Sequence, residues 1–310
     1  MGSVRCIVDT DAGPDDVMAL AWLLSRHDVI IEAITIAYGL AHAWEGAINM
    51  SRVVALAGRD IPVYVGHDKA HAAFPDELRM LSDTLPGVDL PSKFRAPERE
   101  PAPQFLARRL NDRAAGTIRV LALGALDNLA AAIGGESSGA ALEDVIIMGG
   151  AFDVVGNVKN SDSFVSPTNT AEWNFFVDPP STRTVLGTNV PTLVIPLDAT
   201  NDVPVTPQFI DHFQGAVVTP LGQMTGRVLQ LIRPFAARGI FFAWDPLAAV
   251  AMLYPEVIRT RVSAVSVLCD GTTRRAEEGP LKRIAFEADR KLFTELYLSE
   301  FTRSGVRLPT

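Results

Sequence analysis

The stretch VRCIVDTDAGPDDVMALAWLL, Val4 to Leu24, decides how this chain is read. An apolar run from Val4 to Asp9 has the length and composition of a buried strand, and a helix pattern follows from Asp15 to Arg26. Working outward, the same alternation continues. Ile30 to Tyr38 is rich in β-branched residues, Ala43 to Ala57 has helical spacing, and Ile61 to Val65 is again strand-like. It resumes with Arg119 to Leu123 as a strand, Leu126 to Ile133 as a helix and Val145 to Met148 as a strand. Thr192 to Pro196 reads as a strand and Pro220 to Ala237 as a helix. The last third offers a helix near Pro246 to Met252, strands at Val262 to Leu268 and Ile284 to Glu287, and a closing helix from Lys291. Such alternation predicts parallel strands joined by crossover helices, with functional loops at the carboxyl ends of the strands. The expected fold is one α/β domain over residues 1–310, a mostly parallel central sheet flanked by helices. Two stretches, 66–103 and 152–169, lack periodicity, and irregular segments of that length are usually functional loops.

With 310 residues, 48% apolar and 21% charged, the chain has the composition of a globular protein able to bury a large core. A formal charge of −8 argues against nucleic acid as a partner, because phosphate binding relies on clustered Lys and Arg. The densest basic group, Arg108, Arg109 and Arg113, reads as a solvated helix face. No run of 18 apolar residues suggests a membrane span, and no leader precedes Val4, so a cytoplasmic location is expected. Cys6 and Cys269 both sit in apolar strand-like runs and are expected as buried free thiols.

The segment Asp9-Thr10-Asp11-Ala12-Gly13-Pro14-Asp15-Asp16 places four carboxylates within eight residues, where the first strand meets the first helix. A helix cap accounts for one aspartate, and a solvated strand end for another. Four like charges are unfavourable unless a cation or bound hydroxyls offset them, and Gly13 offers a tight turn that would aim them inward. The donors are all oxygens, which fits Ca²⁺ or Mg²⁺ and disfavours zinc. Two later segments are candidate partners. In Thr170-Ala171-Glu172-Trp173-Asn174, extended backbone would point Glu172 and Asn174 the same way, toward vicinal hydroxyls. In Trp244-Asp245-Pro246, an acid stands just before a helix, although Asp245 also suits an N-cap with Pro246 at the first helical position.

Together these segments resemble the inosine-uridine nucleoside hydrolase family. The DTDAGPDD of Asp9 to Asp16 is similar to its aspartate signature. LALGALDNLA, IIMGGAFDVVGNV, TAEWNFFVDP, LDATNDVPV and AWDPLAAV resemble its later motifs in order. TAEWN and WDPL look more like its purine-preferring branch. The resemblance implies a Ca²⁺-dependent hydrolase of free nucleosides, commonly a homo-oligomer, with a dimer favoured over a tetramer. It implies Ca²⁺ held by Asp11, Asp16, Asp245 and the Leu123 carbonyl, with Asp11 also the general base. It places Asp15, Asn157, Glu172 and Asn174 on the ribose, Trp173 in the site and Trp244 stacked on the base. Departing from the family, Leu40 stands where a polar residue is common, and Leu78 falls where the purine branch has a second Trp, with Phe74 close by. His42 and His71 are candidate proton donors to the leaving base, against the ordinary reading of a solvated loop histidine.

Two other readings stay open, and a third is disfavoured. An Asp-x-Asp after an apolar strand also resembles haloacid-dehalogenase-type phosphatases, though Gly13 and the TAEWN and AWDP segments do not follow from that reading. A non-catalytic nucleoside- or calcium-binding protein on the same scaffold would account for Leu40 and Leu78, but has no need of a general base. A nicotinamide-cofactor enzyme would need a glycine pattern that the first turn lacks.

Overall fold

The computed structural model describes residues 3–134, 139–160 and 164–302 and joins nine strands into one sheet. In chain order its elements begin with β1 (Val4–Thr10), α1 (Pro14–Leu24), β2 (Val29–Ile36), α2 (Ala43–Leu56) and β3 (Val63–Val65). Then come α3 (Asp76–Thr84), α4 (Ala102–Asn111), β4 (Ile118–Ala122), α5 (Asp127–Ile133) and β5 (Leu142–Met148). Next are α6 (Trp173–Val177), α7 (Pro179–Leu186), β6 (Thr192–Ile195), α8 (Leu197–Thr200) and α9 (Pro207–Ala216). The chain ends with α10 (Pro220–Leu231), α11 (Arg233–Ala237), α12 (Trp244–Leu253), β7 (Ile258–Val267), β8 (Thr273–Ala276), β9 (Leu281–Ala288) and α13 (Arg290–Thr302).

The strands lie in the order β3-β2-β1-β4-β5-β6-β9-β7-β8. Pairing is parallel from β3 through β9 and antiparallel where β7 joins β9 and β8. This is the single, mostly parallel α/β domain that the alternation predicts. The chain leaves β1 toward β2 and β3, then returns to the other side of β1 with β4, β5 and β6. The order therefore reverses between β1 and β4, and a crevice opens beyond the carboxyl ends of strands at such a point. The aspartate segment follows β1, and Leu123 follows β4.

Burial explains why β1 reads as a continuous apolar run rather than an alternating one. Residues Cys6 to Thr10 are all buried, as expected for a central strand covered on both faces. Helix α1 is buried at all eleven positions, Asp15 and Asp16 included. It packs against α10 and α12 rather than facing water, which accounts for its apolar circumference. Each fully buried Leu or Met there contributes about 2 kcal/mol. Separate apolar cores fill the two faces of the sheet.

Several expectations need correction. The 66–103 stretch is not wholly irregular: it contains α3 and the start of α4, whose Pro-rich, charged sequence masks the helical spacing. The helix expected over Pro220 to Ala237 breaks at Ile232, because Pro234 restarts it as α11. Arg109 is not solvated; it is buried, and its Nε donates to Glu32 at 2.8 Å. Cys6 is a buried free thiol, but Cys269 is exposed, since β7 ends at Val267 and the next residues turn. No helix among the described residues is long and apolar enough to cross a membrane.

Candidate active site

The turn after β1 is held by its own aspartates. Asp16 accepts hydrogen bonds from the Thr10 hydroxyl, from the Asp11 amide at 3.2 Å and from the Gly13 amide at 3.0 Å. Pro14 opens α1 where its missing N–H costs nothing, and Asp15 and Asp16 fall in the first turn, where the helix dipole favours anions. The left-handed conformation needed for the turn belongs to Ala12, with φ 60°; Gly13 is extended. Gly13 is required for space instead, since a Cβ there would come 2.7 Å from the Leu40 side chain. Asp11 is similarly crowded. A Cβ on Gly39 would overlap its carboxylate, and one on Gly124 would lie 2.9 Å from its Cβ. Its oxygens accept from the Leu40 amide at 3.0 Å and the Gly13 amide at 3.3 Å. Asp9 is not a solvated strand end: it is fully buried and accepts from Thr35 at 2.5 Å and Asn128 at 3.0 Å.

Helix α12 brings Asp245 to the same place. Asp245 lies inside the first turn of α12 rather than capping it, because the helix begins at Trp244. One carboxylate oxygen each from Asp15, Asp16 and Asp245 lie within 4.8 Å of one another, and all three residues are buried. Burial, then the charge of Asp11, pushes Asp15 up to about 7. Burial and the surrounding aspartates hold Asp16 and Asp245 well above the ordinary carboxylate range. Asp11 is raised too, by burial, although its hydrogen bonds and Arg79 oppose the shift. Arg79 is committed elsewhere, to Asp68 and the Ala41 carbonyl. The floor is thus a set of crowded oxygen donors with no cationic partner among the described residues. A divalent, oxygen-preferring ion such as Ca²⁺ fits that donor set and that uncompensated charge.

Glu172 and Asn174 do meet the floor, but not as alternating residues of a strand. Glu172 is the N-cap of α6, accepting from the amides of Asn174 at 2.9 Å and Phe175 at 3.3 Å, and from Gly150 at 3.0 Å. Burial pushes it up to about 7. The capping preference of a Glu three residues before the Phe175-Phe176 pair is weak, so the sequence did not reveal this helix. Asn174 spends its amide protons on the carbonyls of Leu123 at 2.8 Å and Met148 at 3.2 Å, leaving its oxygen as the group free to accept. Asn157 accepts from the Trp173 amide at 3.0 Å. Trp173 stacks on Phe74, with ring centres 4.6 Å apart, and Trp244 packs edge-on against Phe241 at 4.9 Å.

All ten candidate residues line one cavity of about 680 Å³. These are Asp11, Asp15, Asp16, Leu123, Asn157, Glu172, Trp173, Asn174, Trp244 and Asp245. Leu40, Phe74 and Leu78 line it as well. The cavity's outer wall includes residues that sequence reasoning missed: Leu81, Ile232, Phe235, Arg238, Ile240, Phe241 and Phe242. The aromatic pair Phe241-Phe242, three residues before Asp245, was the only hint. His42 and His71 are not in the lining, and the His42 ring is held by Asp83 at 2.7 Å.

Comparison with known proteins bears on this geometry. The family model described as inosine-uridine preferring nucleoside hydrolase matches residues 6–295. This chain belongs to that family. Its class of reaction is therefore hydrolysis of the N-glycosyl bond of ribonucleosides. Similar nucleoside hydrolases include a probable uridine nucleosidase from Arabidopsis thaliana, 26% identical over 87% of this chain and 84% of that protein. A pyrimidine-specific ribonucleoside hydrolase from Klebsiella pneumoniae is also 26% identical, over 86% of this chain and 84% of its own. A solved plant nucleoside hydrolase superposes with a TM-score of 0.84 at 25% identity, covering 96% and 99% of the two chains. A purine-preferring ribonucleoside hydrolase from Gardnerella vaginalis has the same fold, with a TM-score of 0.81 at 22% identity over 96% and 98%. Relatives named for pyrimidine nucleosides and a structural neighbour named for purines are thus both similar to this chain.

Proposed function

We propose that this nucleoside hydrolase cleaves purine nucleosides to base and ribose in a Ca²⁺-dependent reaction, with Asp11 as the general base. The observation that carries the reading is the meeting of Asp15 and Asp16, from the chain's beginning, with Asp245, from its last third, within 4.8 Å. Asp11, Asp16, Asp245 and the Leu123 carbonyl would hold the ion. When bound, Ca²⁺ supplies charge that acidifies an attacking water and fixes the sugar hydroxyls.

The remaining steps belong to the side chains. Asp11 accepts the water's proton as the water attacks C1′. Its fixed position, wedged between Gly39 and Gly124, suits a base that must meet one water at one angle. Asp15, Glu172, Asn157 and Asn174 hold the ribose. The Asn174 oxygen faces a hydroxyl donor, because its amide protons are already engaged. Oxocarbenium character on the ribose is stabilised by the surrounding carboxylates. Trp173, backed by Phe74, and Trp244 flank the base. That aromatic flank and the cavity's size support a two-ring base. The names of the uridine- and pyrimidine-specific relatives favour a second reading, in which the base is a pyrimidine. Within the single domain, the segment from Phe74 through α3 and the loop residues Val155, Asn157 and Asn160 act in this account as walls of the active site. The same account takes the enzyme as cytoplasmic and homo-oligomeric, a dimer before a tetramer.

Measuring kcat/KM with Ca²⁺ for inosine, guanosine, adenosine, uridine and cytidine tests the proposal. Faster turnover of all purine members is expected. A profile led by uridine and cytidine would replace purine with pyrimidine, and no base release from any of the five would reject the reading.

A further inference from the structure

We propose that Arg238 selects the leaving base. Its guanidinium holds the oxygen of an oxo base, such as uracil, hypoxanthine or xanthine, and stabilises the negative charge that the base gains as it departs. The inference rests on the hydrolase reading above.

When the C1′–N bond breaks, its electron pair stays on the base. Water's oxygen forms the new bond to C1′, Asp11 takes one of water's protons, and the base acquires a proton from solvent once released. Until then the base needs either an acid or a positive charge beside it. Among the described residues, no histidine or tyrosine lines the cavity. The Trp244 Nε1 is buried and without a partner among the described residues, and as a neutral N–H it offers a hydrogen bond but no charge. Among the described residues, the only cations in the lining are Lys159, beside Asn157 in the loop before α6, and Arg238.

Arg238 sits within the apolar wall itself, between Phe235 and Ile240, in the turn that Gly239 makes with φ 67°. It is exposed, and among the described residues its guanidinium has no ion pair or hydrogen bond. Arg233, five residues earlier, is by contrast held by Asp211 at 2.7 Å. Exposed and unengaged, the guanidinium is free to turn toward a base bound in the cavity, which would shield it from water on that side. A guanidinium acts by charge and by donating hydrogen bonds, and it has no acceptor. It can therefore bind a carbonyl oxygen but not an amino group. Uridine and cytidine differ in that way at one ring position, and inosine and adenosine at another.

The test compares kcat/KM for those two pairs in the wild type, Arg238→Gln and Arg238→Lys. The wild type should favour uridine over cytidine and inosine over adenosine. Arg238→Gln should lower the oxo members by about ten- to a hundredfold, mainly in kcat, and leave the amino members nearly unchanged. Arg238→Lys, which keeps the charge but loses the fork, should fall between. An equal drop on all four substrates, or no drop on any, overturns the assignment of Arg238 while leaving hydrolysis intact. No turnover of any of the four by the wild type with Ca²⁺ overturns both.

Discussion

The floor of the cavity takes its side chains from the turn after β1, from α1 and from α12, segments almost wholly buried in the core. The outer wall takes its own from α3, from the loop through Asn160 and from the turn after α11, where Ile240 and Arg238 are exposed. Floor residues are fixed by packing on every side, so their chemistry is hard to alter without disturbing the fold. The exposed wall residues, Arg238 and Ile240, are held by little packing, so substitutions there can change which base is accepted at little cost in stability. The floor in this reading sets the reaction, and the wall sets its substrate.

That division can be broken or sharpened by experiment. Asp11→Asn, which keeps an oxygen donor for the ion, should show the largest effect, lowering kcat by about 10²- to 10⁴-fold while nucleoside affinity, measured by calorimetry at saturating Ca²⁺, changes little. Unchanged turnover would remove Asp11 from the role of base. Gly39→Ala should follow, because its methyl group would displace the Asp11 carboxylate; a loss in kcat of about a hundredfold is expected. Activity near wild type there would mean that the floor is looser than its packing suggests. On the wall, Phe74→Ala removes the ring stacked on Trp173 and should cost no more than about tenfold, mostly in KM. A larger fall in kcat would place Phe74 with the floor.

The smallest effect expected is on stability against pH. Asp15 and Glu172, raised to about 7 by burial and by Asp11, bind more protons folded than unfolded between their ordinary values of 3.8 and 4.5 and pH 7. Their protonation favours the fold fully below pH 4, and that contribution is lost as pH rises through 7. The melting temperature of Ca²⁺-free protein should therefore fall between pH 5 and pH 8, and added Ca²⁺ should raise it most at pH 8. A melting temperature that is flat over this range, with and without Ca²⁺, would contradict the crowding of charge on the floor.

The floor was legible because crowding four aspartates beside a buried strand has few explanations, and because the strand-helix alternation fixes where a parallel sheet opens. The wall was not. Its residues come from segments distant in sequence, and apolar residues such as Leu81 and Ile232 look the same lining a cavity as filling a core. Glu172 and Asn174 were found for the wrong local reason. Period-two spacing over three residues fits an extended segment, but the amides after Glu172 turn into α6 because its own carboxylate caps them. Helices α7 and α9, each opened by proline, and the short strand β8 left too little apolar periodicity to be read.

Calcium binding by Asp245→Asn tests the central claim most directly, since Asp245 is the acid that the fold must carry in from far along the chain. Titrated calorimetrically into metal-stripped protein, Ca²⁺ should bind the wild type at one site per chain and bind Asp245→Asn at least about tenfold more weakly. Equal affinity in the two proteins, or no binding by the wild type, would contradict the account.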